Sequence, residues 1–189
     1  MNDDLQILKI PLIETERLNL RELTLEDVND VFEYASISEV STFLPWYPHK
    51  SKQDSIDFIN FAKDQFAKNI SIIWGIELKE DSKLIGTVDI RNTQPINNCG
   101  EIGYVLSNKY WNKGIMTEAV KAIINYGFNE MKLNRIEALC EAENISSLRV
   151  MEKAGMQFEG FLREKVYIKN QYRSMKIYSI LKSDYINGN

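Results

Sequence analysis

The segment that most constrains this chain is GEIGYVLSNKYWNKGIMTEAV, from Gly100 to Val120. Glu101, Ile102, Tyr104, Val105 and Leu106 form a strand-like run, which passes through a basic turn holding Gly114. Met116, Ala119, Val120, Ile123 and Gly127 then fall on one face at helical spacing. That order makes an anion cradle, because the first N–H groups of a helix lack intrahelical partners and sit at the positive end of its dipole. Gly114 lets a ligand approach the backbone, and Lys113 adds a positive charge. The same letters also suit an ordinary strand-to-helix connection with a surface lysine.

Composition removes most other classes. At 189 residues, 44% of them hydrophobic and 11% aromatic, the chain is expected to fold as one domain, 1–189, with a real core. No apolar run approaches the roughly 20 residues of a membrane span, and the acidic start MNDDLQILKI lacks the features of a signal peptide. With two cysteines, Cys99 and Cys140, and no secretory feature, a reducing cytoplasm is the expected location. The net charge of −4 argues against nucleic-acid backbones as partners and suits a cationic acceptor such as a free amine.

No repeat or linker divides the chain. Leu18 and Leu20 alternate with polar residues in a first strand, and Thr24 caps a helix carrying Val28, Val31, Phe32 and Ala35. A second helix starts near Ser51. Ser71 to Leu78 and Leu84 to Ile90 read as a hairpin, followed by a polar loop from Asn92 to Asn98 and the Glu101 strand. After the Gly114 helix come a strand, Arg135 to Cys140, and a short helix, Ser146 to Ala154, closed by Gly155. Phe158 to Ile168 then pairs with Tyr172 to Leu181 across Lys169-Asn170-Gln171. The fold class is α/β, a mixed α+β arrangement: a central mixed, mostly antiparallel sheet flanked by helices, with one βαβ crossover carrying the anion loop.

Four segments then resemble the GNAT acetyltransferase superfamily, and within it the Rim-type N-terminal acetyltransferases of ribosomal proteins. They are ETERLNLRELTLED, FLPWYPHKS, GEIGYVLSNKYWNKGIMTEA and ENISSLRVMEKAGMQFEGFLRE. The superfamily's pyrophosphate loop has glutamine or arginine, two residues, glycine, one residue, then glycine or alanine. That frame falls on Trp111, Asn112, Lys113, Gly114, Ile115 and Met116; Trp at the first position is usual in the Rim-like branch, and Met116 departs from the small residue expected. Asn144, Ser147 and Gly155 match a second pattern. The resemblance implies acetyl-CoA as donor, an amine as acceptor, splayed fourth and fifth strands around the pantetheine, no metal, and a homodimer through the terminal strands.

The implied chemistry sets three needs. Backbone N–H groups around Val105 and Leu106, exposed by a family bulge, would face the developing oxyanion. The thiolate needs a proton donor; where many members carry a tyrosine this chain has Met151, and the Rim-like branch points instead to Ser147. Ser147 is otherwise a helix-start residue with a local capping bond, and Asn144 is a cofactor contact, a cap, or both. Glu101 is the candidate proton acceptor, directly or through water, or else an exposed strand-end carboxylate. The Rim-type glutamate position aligns with Val166, so that role does not transfer.

An α-amine, with a pKa of about 7.7 to 8.0, is partly unprotonated at neutral pH, whereas lysine near 10.4 is not. A modest base therefore favours a protein N-terminus over a polyamine, amino sugar or antibiotic; from a different class, Met116, Met151 and Val166 also suit an acyl-CoA-binding module that does not turn the cofactor over. Trp46 and Tyr47 are expected in the acceptor wall, while Phe43 reads as packing. His49, the single histidine, is expected at the surface, and neither cysteine is needed as a nucleophile.

Overall fold

A computed structural model describes residues 9–187. Two short strands, β1 (Ile13–Glu14) and β2 (Leu18–Arg21), lead to the helices α1 (Val28–Ala35), α2 (Ser38–Ser41) and α3 (Lys52–Ala67). Strands β3 (Ser71–Leu78), β4 (Lys83–Gln94) and β5 (Cys99–Leu106) follow. Helix α4 (Ile115–Asn129) crosses to β6 (Arg135–Glu141), and α5 (Ile145–Lys153) leads to the hairpin β7 (Gln157–Ile168) and β8 (Gln171–Leu181) before α6 (Lys182–Asn187). The sheet order is β1-β2-β3-β4-β5-β6-β8-β7. Only the β5–β6 pair is parallel, as the crossover required.

Local chemistry accounts for most boundaries. Ser51 and Asp54 form a capping box at the start of α3, and Thr24 with Asp27 forms another before α1. Lys169 and Asn170 both have positive φ, the geometry of a two-residue type I′ turn, so Gln171 belongs to β8 rather than to the turn. The polar loop expected from Asn92 is a strand up to Gln94. Asn92 pairs with Gly100 and Gln94 with Cys99, with a register shift between them. Ladder bonds come from the main chain, so polar side chains do not prevent them.

The sheet is buried on both sides in its centre, which is why β3 reads as the nearly continuous apolar run SIIWGIEL. One core lies under α4 and α5 and holds Trp74, Ile90, Ile102, Leu106, Val120 and Ile123. The other lies under α1 and α3 and holds Leu23, Val31, Tyr34, Ile59 and Leu84, with Val105 against it. Each fully buried Leu or Ile contributes about 1.5–3 kcal/mol relative to exposure. The Trp74 indole, fully buried, donates to the Pro11 carbonyl at 2.8 Å and ties the segment before β1 to the sheet.

Candidate active site

Pairing between β5 and β6 stops at Ile102 with Ala138, while β5 continues to Leu106 and β6 to Glu141. Beyond that point the two strands are not bonded to each other. A cleft of about 480 Å³ lies beside the unpaired end of β5, lined by Tyr104, Val105 and Leu106, the loop and first turn of α4, the first turns of α5, and Phe43 and Leu44. Residues of both sheet faces meet there: Tyr104 and Leu106 belong with the α4–α5 core, Val105 with the α1–α3 core.

The bulge expected at Val105 and Leu106 is absent; the β4–β5 register is unbroken from Gly86–Leu106 to Asn92–Gly100. The amide is freed differently. Ser107 N–H donates to the Ile85 carbonyl at 2.8 Å, which makes Leu106 and Gly86 a non-hydrogen-bonded pair, so both main-chain groups of Leu106 point away from β4. The Leu106 carbonyl accepts the Trp111 indole N–H at 2.9 Å, leaving the Leu106 N–H on the side where β6 has withdrawn. By alternation the Val105 N–H points towards β4, so of the two amides Leu106 is the one that faces the gap. A Cβ at residue 86 would stand 2.3 Å from the Val105 carbonyl oxygen, which restricts that position to glycine.

The anion loop has the predicted form. Gly114 caps α4 at φ 75°, and Asn112 also has positive φ, at 61°. Among the described residues, no acceptor takes the N–H groups of Asn112, Lys113, Gly114, Ile115, Met116 or Thr117. A Cβ on Gly114 would make an ordinary van der Waals contact with Arg17 Nη2, at 3.7 Å, and would meet nothing nearer. A row of unpaired N–H groups, two of them on residues with positive φ, fits a pyrophosphate. Met116 does not crowd the loop, because its side chain is buried in the α4 core. Lys113 directs its ammonium over the Tyr110 ring, 5.2 Å from the centroid, and does not line the cleft.

Arg17 and Glu118 were not singled out from sequence, and they hold the loop. Arg17 Nη1 donates to the Lys113 carbonyl at 3.0 Å and its Nε to Glu118 at 2.7 Å, while Thr15 donates to the same carboxylate at 2.6 Å. Glu118 in the first turn of α4 was the available signal, since a carboxylate there complements the dipole.

Asn144 caps α5: its Oδ1 accepts the Ser147 N–H at 3.1 Å. Ser147 Oγ lies 2.7 Å from the Tyr104 hydroxyl, which also reaches the Ser147 carbonyl at 3.2 Å. Burial pushes the phenol's pKa up, more than the Ser147 hydrogen bond lowers it, so Tyr104 is neutral at physiological pH. Tyr104 is the cleft-lining partner of Ser147 that sequence reasoning did not single out. Its signal was alternation, which puts it on the same strand face as Ile102 and Leu106. Cys140 lies by Ser147, and burial pushes its thiol up to about 11, so it is an unreactive thiol.

Glu101 does not join this group. It is three residues from Tyr104 on β5 and therefore on the opposite sheet face, with Arg91 Nη1 3.7 Å away. Burial raises its pKa, with Arg91 acting against the rise. Asp89 and Arg91, joined at 3.0 Å, lie beside it over Gly103, where a Cβ would be 2.6 Å from Asp89.

The aromatic loop divides differently from expectation. Phe43 and Leu44 line the cleft, whereas Trp46 packs on the α1–α3 core beside His49. Tyr47 is exposed and lies under the Lys169 ammonium, 5.5 Å from its ring centroid. Lys169 also donates to the Ser41 carbonyl at 2.6 Å, fastening the β7–β8 turn to the end of α2. His49 is half-buried, not at the surface, and pairs with Ser55 Oγ at 2.9 Å; burial lowers its pKa. No three His, Cys, Asp or Glu side chains among the described residues group to hold a metal ion, and no described helix is long and apolar enough to cross a membrane.

Comparison with known proteins assigns the architecture to a family. The family model described as an acetyltransferase (GNAT) domain matches residues 17–157. The uncharacterized N-acetyltransferase YnaD of Bacillus subtilis is 36% identical over 92% of this chain and 98% of its own length. The uncharacterized N-acetyltransferase p20 of Bacillus licheniformis is 34% identical over 90% and 96%. A solved structure of a GNAT-family acetyltransferase from Bacillus anthracis superposes with a TM-score of 0.82 at 34% identity, covering 92% of this chain and 99% of the other.

Proposed function

The chain belongs to the GNAT acetyltransferase family and is an acetyl-CoA-dependent N-acetyltransferase, and on that premise we propose that its acceptor is the α-amine of a protein N-terminus. The observation that carries this is the chemistry of the cleft. Among the described residues that line it the one carboxylate is Glu39, which accepts from Asn108 Nδ2 at 3.2 Å, so these residues offer neither a strong base nor the acidic pair that would hold a polycation. An α-amine needs little base, whereas a lysine-like amine needs roughly three pKa units of adjustment, about 4 kcal/mol. Among relatives, the putative ribosomal N-acetyltransferase YdaF of Bacillus subtilis is 34% identical over 59% of this chain. The spermidine N(1)-acetyltransferase of Escherichia coli is 26% identical over 56%.

Acetyl-CoA supplies an activated acyl thioester and, on transfer, a sulfur that must gain a proton. The N–H groups from Asn112 to Thr117 hold its pyrophosphate. The Leu106 N–H donates to the acyl oxygen as charge develops there, a contribution of about 3 kcal/mol for one oriented donor. Val105 supplies the apolar edge of the same spot. The Tyr104 and Ser147 hydroxyls share a hydrogen bond at 2.7 Å; with Tyr104 as its donor, the serine proton is free for the leaving sulfur, while the Asn144 cap fixes the serine's backbone. A C–N bond forms, a C–S bond breaks, and the proton that Ser147 passes to sulfur is replaced, through water, by the one the amine sheds. Glu101 is about 13 Å along β5 from Val105 at strand spacing and does not line the cleft, so the amine proton leaves to water. Phe43, Leu44 and the Tyr47–Lys169 strap form the acceptor side.

The test is thiol release from acetyl-CoA with three acceptors: a ribosomal-protein N-terminal peptide, its N-terminally blocked copy, and spermidine. Release with the free peptide alone is expected. Release with spermidine alone would replace the α-amine reading by a small-molecule one.

A further inference from the structure

Among the described residues two carboxylates are buried, and their partners differ. Asp27 accepts from both terminal nitrogens of Arg21, at 2.9 and 2.7 Å, and from the Thr24 N–H at 2.7 Å. Glu141, 6% exposed at the end of β6, makes one ion pair, with Arg173 Nη1 of β8 at 3.6 Å, and among the described residues no hydrogen bond reaches its carboxylate. Arg173 is unmet as well: its Nε is buried and finds no acceptor among the described residues. A buried polar group without a partner carries its desolvation cost uncompensated, so two such groups side by side point to a ligand that satisfies both.

Their place is the acceptor side of the reaction. The β5–β6 register, Ile102 with Ala138, continues to Val105 with Glu141, and register partners share a sheet face. Glu141 therefore stands across the gap from Val105, on the face of the α1–α3 core, while the loop of α4 and the first turns of α5 lie on the other face. An amine that enters opposite the donor meets Glu141 on its way to the acyl group at the Leu106 N–H. Arg173 shares that face, two residues along β8 from Met175, the register partner of Glu141. Lys169, whose bond to Ser41 straps the same side, is within electrostatic reach of both: burial lowers its pKa, Glu141 acts against the fall and Arg173 with it.

A carboxylate without a donor beside an N–H without an acceptor is the complement of a group that carries both within one residue. A peptide N-terminus is such a group, its α-amine separated from its first carbonyl by one carbon. A polyamine offers ammonium groups alone, and the charges of Arg173 and Lys169 repel its second one. We propose that Glu141 and Arg173 form a pair that reads the acceptor's main chain, Glu141 accepting an N–H of the α-amine and Arg173 Nε donating to the first peptide carbonyl. The proposal rests on the acceptor being a protein N-terminus and deepens that reading.

Steady-state kinetics at saturating acetyl-CoA test it, with the free ribosomal-protein peptide and a copy whose first carbonyl is a thiocarbonyl, a poorer hydrogen-bond acceptor. The wild-type protein should turn over both, with a KM several-fold higher for the thiocarbonyl copy. Arg173→Met should raise the KM of the native peptide several-fold and handle the two peptides alike. Glu141→Gln, which keeps the side chain's size, should raise both KM values about tenfold, the scale of one charge-assisted hydrogen bond, and keep the difference between the peptides. Acetyl-CoA affinity, titrated separately, should be unchanged in both variants, which also shows that they fold. No difference between the peptides in the wild-type protein, a difference that survives Arg173→Met, or donor affinity that falls in step with acceptor KM would overturn the proposal while leaving the α-amine reading intact. Failure of the wild-type protein to acetylate the native peptide would remove both.

Discussion

The two walls of the cleft are built by different means. The wall formed by the loop and α4 is main chain: N–H groups from Asn112 to Thr117, a left-handed Gly114, and the Leu106 amide freed where β6 withdraws. The opposite wall is side chains, Phe43 and Leu44, backed by a strap in which Lys169 reaches Ser41, 128 residues earlier in the sequence. A wall of main-chain donors suits a group that never varies, such as the donor's phosphates. A wall of side chains on loops can be changed without disturbing the sheet, which suits the partner that differs between relatives.

The largest expected effect falls at the junction of the walls. Ser147→Ala should lower kcat by about a hundredfold, the scale of a positioned proton donor, with acetyl-CoA affinity nearly unchanged. Tyr104→Phe should lower kcat by less, since Ser147 keeps its hydroxyl. Steady-state kinetics beside donor titration would check both, and an undiminished kcat in Ser147→Ala would remove the serine from the chemistry.

Next, the main-chain wall should break at Gly114. An alanine at φ 75° costs about 1–2 kcal/mol and places a methyl against the Arg17 guanidinium that holds the loop, so donor binding should weaken about tenfold. Gly155→Ala, at φ 89°, should lower the melting temperature comparably with no change in donor affinity. If both variants bind acetyl-CoA equally well, the loop is not the phosphate cradle.

Lys169→Met should act on the other wall alone. Loss of the Ser41 bond and the Tyr47 contact, worth about 1 kcal/mol together at an exposed site, should raise acceptor KM a few-fold and leave donor KM unmoved. Equal changes in the two KM values would argue that the strap supports the whole cleft.

The smallest effect concerns Glu101. Burial holds its folded pKa above the ordinary value, so its contribution to stability is whole below about pH 4.3 and is lost as pH rises through the raised pKa. Glu101→Gln removes that loss, and the variant's melting temperature should gain on the wild type between pH 4 and pH 8, less what Arg91 had offset. If Glu101 also receives the amine proton, the same variant should move the rate profile to higher pH. An unmoved profile would assign the profile to ionisation of the amine.

By itself, the sequence determined what local rules govern. Apolar spacing placed the central strands and α4, a glycine at a strand-to-helix junction placed the anion loop, and an asparagine three residues before Ser147 placed the start of α5. Each depends on residues within a turn or two of one another, where periodicity, caps and positive φ operate. Tertiary structure decided the rest. Tyr104 became Ser147's partner across 43 residues, and Arg17 became the anchor of a loop 96 residues away. Leu106 gained its free amide from a neighbour strand that stops pairing rather than from a bulge of its own. Glu101, near the cleft in sequence, was set on the far face by strand alternation, and Phe43 exchanged places with Trp46. Such contacts are chosen by which surfaces the sheet brings together, and no short-range pattern in the chain encodes that choice.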